Sequence, residues 1–117
     1  MVANIGRDEL RAKMDRGDPF ILLEVLAPQY YRHSHLPGAL NLPPGKVAEM
    51  APDLLPDKDA EIVLYCWDAA GLTSEQAARE LAAMGYANVL EYGEGKEAWI
   101  AAGLPVEGRS RRHRQRG

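Results

Sequence analysis

At 117 residues and 46% hydrophobic side chains, the chain has the length of one domain able to close a core without a metal, and its one cysteine excludes an internal disulfide. The formal charge of −3 conceals a division: five arginines, Arg109, Arg111, Arg112, Arg114 and Arg116, lie at the end, so residues 1–108 hold 9 basic against 17 acidic side chains, or −8. No charged-then-apolar leader and no apolar run near ~18 residues is visible, so a cytoplasmic protein with no membrane partner is expected.

In chain order, RDELRAKMDR at 7–16 reads as a surface helix that turns Leu10 and Met14 inward and ends at Gly17. FILLEVL at 20–26 is too apolar and too short for a helix and suits a strand covered on both faces, with Glu24 near its carboxyl end facing a cleft. Residues 27–34 form a helical turn in which Tyr30 and Tyr31 pack while Arg32 and His33 stay wet. HLPGA at 35–39 is a tight turn into a short strand at 40–42, and His35 is expected to bond backbone groups rather than act as a base. A helix at 46–55, broken by Pro52, offers Val47, Met50, Leu54 and Leu55 to the core. Asn88 to Tyr92 alternates as a strand, a Gly93–Glu94–Gly95 turn follows, and a last helix at 96–102 carries Trp99 and Ile100. The basic stretch 109–117 is expected to be a disordered tail; it holds no aromatic residue for base stacking, so nucleic acid is not an expected partner.

Between these lies the stretch that carries chemistry. Ile62 to Tyr65 reads as a buried strand that ends at Cys66, and Thr73 with Gln76 forms a capping-box pattern opening a helix that Gly85 stops. Strands alternating with helices imply an α/β domain with a mainly parallel sheet and right-handed crossovers, whose ligands sit beyond the carboxyl ends of the strands. Cys66 falls at such an end. Unpaired amides and the helix dipole there should favour thiolate, the nucleophilic form. The competing reading is a buried structural cysteine.

In this order and spacing, the motifs FILLEV at 20–25, HLPGALNLP at 35–43, IVLYC at 62–66, SEQAARELAAMGYANV at 74–89 and GEGKEAW at 93–99 resemble the rhodanese-like family of sulfurtransferase domains. The resemblance spans nearly all of residues 5–107. It implies a three-layer fold with helices on both faces of the sheet, formed by residues 1–108. It also implies that Cys66 attacks the outer sulfur of a small anionic donor such as thiosulfate, becomes a persulfide and passes the sulfur to cyanide or to a thiol, small or protein-borne. No metal or organic cofactor is implied. With one cysteine, the acceptor thiol must belong to another molecule.

The cysteine loop departs from the common family pattern. CWDAAGLTS is two residues longer than usual and lacks the customary arginine, as in a family subset whose extended loop begins with cysteine and tryptophan. The expected donor-binding loop is therefore Trp67, Asp68, Ala69, Ala70, Gly71, Leu72 and Thr73, acting through backbone groups. Asp68 opposes a dianionic donor unless Arg32, His33, Lys46, Arg79 or a tail arginine compensates. Glu24 stands for the family's aspartate as a loop-positioning residue, and Leu26 replaces the arginine that would pair with it, so that ion pair is expected to be lost. A non-catalytic binding or regulatory module is the alternative reading. A phosphatase or arsenate reductase on the same fold would want a guanidinium in the loop.

Overall fold

The computed structural model describes residues 2–70 and 72–109, and ten elements follow in order. They are β1 (Ala3–Asn4), α1 (Arg7–Arg16), β2 (Ile21–Glu24), α2 (Pro28–His33), β3 (Leu40–Asn41), α3 (Val47–Leu54), β4 (Glu61–Tyr65), α4 (Leu72–Ala83), β5 (Asn88–Glu91) and α5 (Gly95–Ala101). The strands form one sheet in the order β1-β5-β4-β2-β3, and every neighbouring pair is parallel. The α/β architecture expected from the alternation is therefore present, with β4 at the centre.

Alternation along the central strands builds two cores. Leu23, Val25, Ile62, Leu64 and Val89 face α3 and α4, where they meet Val47, Ala51, Ala77, Ala78 and Leu81. Leu22, Val63 and Tyr65 face the other way and pack with Leu10 of α1, Trp99 of α5 and Tyr92. Burial on both faces explains why β2 and β4 read as continuous apolar runs. Gly17 caps α1 in the left-handed conformation, at φ 74°, and returns its N–H to the last turn.

Several local expectations are corrected. Pro52 lies inside α3 rather than breaking it; the carbonyl it leaves without a donor is on exposed Ala48, and the helix ends two residues later. Thr73 is not a cap, because α4 already includes Leu72; its hydroxyl instead donates to the Val25 carbonyl at 3.1 Å, joining the cysteine loop to the end of β2. Tyr30 does not pack and stands 53% exposed, whereas Tyr31 is partly buried and donates to the Ala39 carbonyl. The edge strand β1, two residues with no turn motif beside it, was not expected from sequence. The basic tail, beyond Arg109, lies outside the described residues.

Candidate active site

Because β4 alternates, Ile62, Leu64 and Cys66 point toward α4, and so does Glu91 two residues after Val89 on β5. The first turns of α4 bring Ser74 to the same place. Cys66 is 2% exposed, and its Sγ lies 3.2 Å from the Ser74 hydroxyl and 3.8 Å from the Asp68 carbonyl. The Ser74 oxygen is also 2.7 Å from Glu91 Oε2. Cysteine, serine and carboxylate thus form one hydrogen-bonded line under the start of α4.

The loop around this line is held at its ends and open in its middle. The Ala70 N–H is taken by the Asp68 carboxylate at 3.1 Å, closing a local turn, and among the described residues no loop amide donates to Sγ. Trp67 and Leu72 are 44% and 72% exposed. Ala69 and Ala70 are exposed, Asp68 and Thr73 are half-buried, and Gly71 lies outside the described residues. Trp67, Tyr30 and Leu26 line a cavity of about 370 Å³ beside the loop, and a second, of about 280 Å³, lies between Trp67, Tyr30, His33 and Lys96.

On the opposite face of the sheet, α5 fastens the backbone of the cysteine segment. Lys96 N–H donates to the Cys66 carbonyl at 2.9 Å, and Glu97 N–H donates to the Trp67 carbonyl at 2.8 Å. Gly95 makes this approach possible: at φ 82°, a Cβ there would lie 2.8 Å from the Trp67 carbonyl and the Asp68 nitrogen.

Glu24 is fully buried rather than facing an open cleft, and the ion pair expected to be missing is present. The cation comes from Lys96 of α5, whose Nζ is 3.1 Å from each carboxylate oxygen of Glu24. The same ammonium donates to the carbonyls of Tyr30, at 3.2 Å, and Ser34, at 2.5 Å, and lies 5.8 Å from the Trp67 ring centroid. Tyr65 completes the cluster by donating to Glu24 Oε1 at 2.7 Å and accepting the Leu36 N–H at 3.0 Å. Burial, and next the charge of Glu24, holds the Tyr65 phenol well above its usual range; burial pulls the Lys96 ammonium down while Glu24 pulls it back up.

Of the cations considered from sequence, Arg79 pairs with Glu75 and Lys46 with Glu49, both on the surface. His35 stacks on Tyr31 with ring centroids 3.9 Å apart, and its Nδ1 meets the Tyr31 carbonyl at 2.7 Å, as expected of a structural histidine. Ser74, Glu91 and Lys96 were not among the candidate residues. The available signals were polar residues in otherwise apolar registers: Glu91 two places after Val89, and Lys96 three before Trp99.

A parallel sheet carrying a single cysteine just past its central strand, followed by a loop and a helix, is the arrangement of a small α/β domain built around one thiol. The rhodanese-like domain profile matches residues 6–102. The chain belongs to the rhodanese-like family. A sulfurtransferase from Allochromatium vinosum is 30% identical over 110 residues, covering 91% of this chain and 95% of its own. A thiosulfate sulfurtransferase from Escherichia coli is 37% identical over 67 residues, 57% of this chain and 62% of its own. An HTH-type transcriptional regulator from Mycobacterium tuberculosis is 33% identical across 88% of this chain, which spans only 44% of the regulator. Among solved structures, a Bacillus halodurans protein superposes with a TM-score of 0.83 at 28% identity, over 91% of this chain and 77% of its own. Among the described residues, no helix is long and apolar enough to cross a membrane.

Proposed function

We propose that the protein is a sulfurtransferase that moves a sulfane sulfur from a donor such as thiosulfate to cyanide or to a thiol through a persulfide on Cys66. The observation that carries this reading is the place of Cys66, at the carboxyl end of the central parallel strand in a chain whose relatives include named sulfurtransferases. In the first step the Cys66 thiolate attacks the outer sulfur of thiosulfate. The bond between the two donor sulfurs breaks, sulfite leaves with the electron pair, and Cys66 carries a persulfide anion. In the second, the acceptor attacks the outer persulfide sulfur and the Cys66 thiolate is restored. Since Cys66 is nearly covered, the loop that carries exposed Trp67, Ala69, Ala70 and Leu72 must yield before a donor reaches Sγ. Lys96 and Glu24 act beneath it as positioning residues, because the ammonium that binds Glu24 belongs to the residue whose N–H holds the Cys66 carbonyl.

Incubation with thiosulfate should add one sulfur atom to the intact mass, cyanide should remove it, and Cys66→Ser should abolish both without unfolding the domain. A non-catalytic binding module is the second reading, favoured by the covered sulfur and by Asp68 holding the Ala70 amide. No adduct with thiosulfate, an organic persulfide or a polysulfide would decide for it.

A further inference from the structure

The Ser74 hydroxyl has one proton and two acceptors for it: Cys66 Sγ at 3.2 Å and Glu91 Oε2 at 2.7 Å. Ser74 is 1% exposed, so the contest is settled within the protein. A carboxylate is the stronger acceptor and here the nearer one, and the separation is that of a charge-assisted bond. With the hydroxyl proton directed at Glu91, the serine presents lone pairs to the sulfur. Lone pairs accept a thiol proton and give nothing to a thiolate.

We propose that Glu91 is a positioning residue that, through Ser74, keeps Cys66 in the thiol form until the carboxylate is neutralised. Neutralisation frees Ser74 to turn its O–H onto the sulfur, where a donor to the anion favours thiolate. The carboxylate is reached from solvent by a route separate from the Trp67 side. It lines a cleft of about 400 Å³ with Val2, Asn4, Glu75, Arg79 and Ala82, between β1 and α4. The groups facing it are Asn4 from β1, Ser74, Glu75 and Arg79 from α4, and Cys66 beyond the serine. Arg79 is engaged by Glu75 at 3.1 Å, leaving Glu91 to act on Ser74. A small cation pairing with the carboxylate in this cleft would thus switch the nucleophile on from behind. The inference deepens the sulfurtransferase reading by assigning control of its nucleophile, and rests on it for its functional meaning.

The test uses the fact that Cys66 is the chain's one cysteine. The thiolate is followed by its ultraviolet absorbance from about pH 5 to pH 10, with Cys66→Ser subtracted, and by the rate of alkylation with iodoacetamide. Glu91→Gln should raise both thiolate signal and alkylation rate about tenfold at neutral pH, the size of one hydrogen bond to a charged group. Adding Ser74→Ala to Glu91→Gln should remove most of that gain. Circular dichroism checks the fold of each variant; if Glu91→Gln does not fold, Glu91→Asp withdraws the carboxylate by one methylene and should move thiolate the same way. Equal or lower thiolate in a folded Glu91 variant, or a gain that survives Ser74→Ala, overturns the inference. Neither readout requires a sulfur donor. A thiolate gain without any persulfide from thiosulfate would therefore sink the transferase reading and spare this one, and persulfide formation with no thiolate gain would do the reverse.

Discussion

Replacing Lys96 by methionine keeps the apolar stem and deletes the ammonium, which is the sharpest test of what holds the cysteine segment in place. Lys96 is 1% exposed and Glu24 is completely covered, so the change leaves a buried carboxylate with the Tyr65 hydroxyl as its remaining partner. The carbonyls of Tyr30 and Ser34 lose a donor as well. Breaking a buried ion pair from one side costs about 3–5 kcal/mol. Against the roughly 5–15 kcal/mol that holds a domain folded, that is a fifth or more, and it corresponds to a fall in melting temperature of roughly 12–20 °C. Urea unfolding followed by tryptophan fluorescence reads this directly, since Trp99 is buried and Trp67 lies over the ammonium. The double variant Glu24→Gln, Lys96→Met should lose less than Lys96→Met alone, because the stranded charge is gone. A single variant within about 1 kcal/mol of the native protein, or a double variant worse than the single, would refute the account.

Three further outcomes follow from particular residues. Gly95→Ala meets both a left-handed φ of 82° and main-chain atoms of Trp67 and Asp68 at 2.8 Å, so it should destabilise the fold and slow sulfur loading, seen as a lower unfolding midpoint and less mass adduct at a fixed time. Tyr92 carries a buried hydroxyl with no hydrogen-bond partner among the described residues, so Tyr92→Phe should be neutral or up to about 1 kcal/mol stabilising near pH 7. Burial pushes the Tyr92 phenol up to about 12, and Tyr65 is also raised. A phenol raised in the folded state contributes stability that is complete below its unfolded value, near pH ~10, and is lost as pH rises toward the folded one. Lys96, lowered by burial, works in the opposite sense over the same range, as one group against three, since burial raises the Tyr31 phenol as well. Unfolding midpoints should therefore fall above about pH 10, and less steeply in Tyr92→Phe; equal slopes would contradict this.

The elements that sequence resolved were those whose own residues determine them. The apolar run before Cys66 and the helix after it needed no knowledge of the rest of the chain, and Gly17 ends α1 in the conformation its residue type favours. What escaped depended on partners distant in sequence. Thr73 matched a capping box, yet its hydroxyl finds Val25, 48 residues earlier. Glu24 appeared to have lost its cation because the position two residues on holds Leu26; the replacement sits 72 residues downstream. Ser74 and Glu91, 17 residues apart, become neighbours of Cys66 only once β4 and β5 are in register and α4 lies across them. β1 escaped for a different reason: it is two residues long and lacks a turn motif such as the HLPGA that announces the equally short β3.

The all-parallel order of the strands also dictates how the chain can assemble. Parallel neighbours cannot be joined by a tight hairpin, so each sheet contact waits for a crossover to be made and closed. During synthesis, β4 can first pair with β2 once Tyr65 has emerged, but its other edge stays open until Asn88 to Glu91 arrive. For that interval the apolar strand leading to the nucleophile presents an unpaired backbone edge, a template for association with other chains. Fragments ending before β5 should aggregate through this edge.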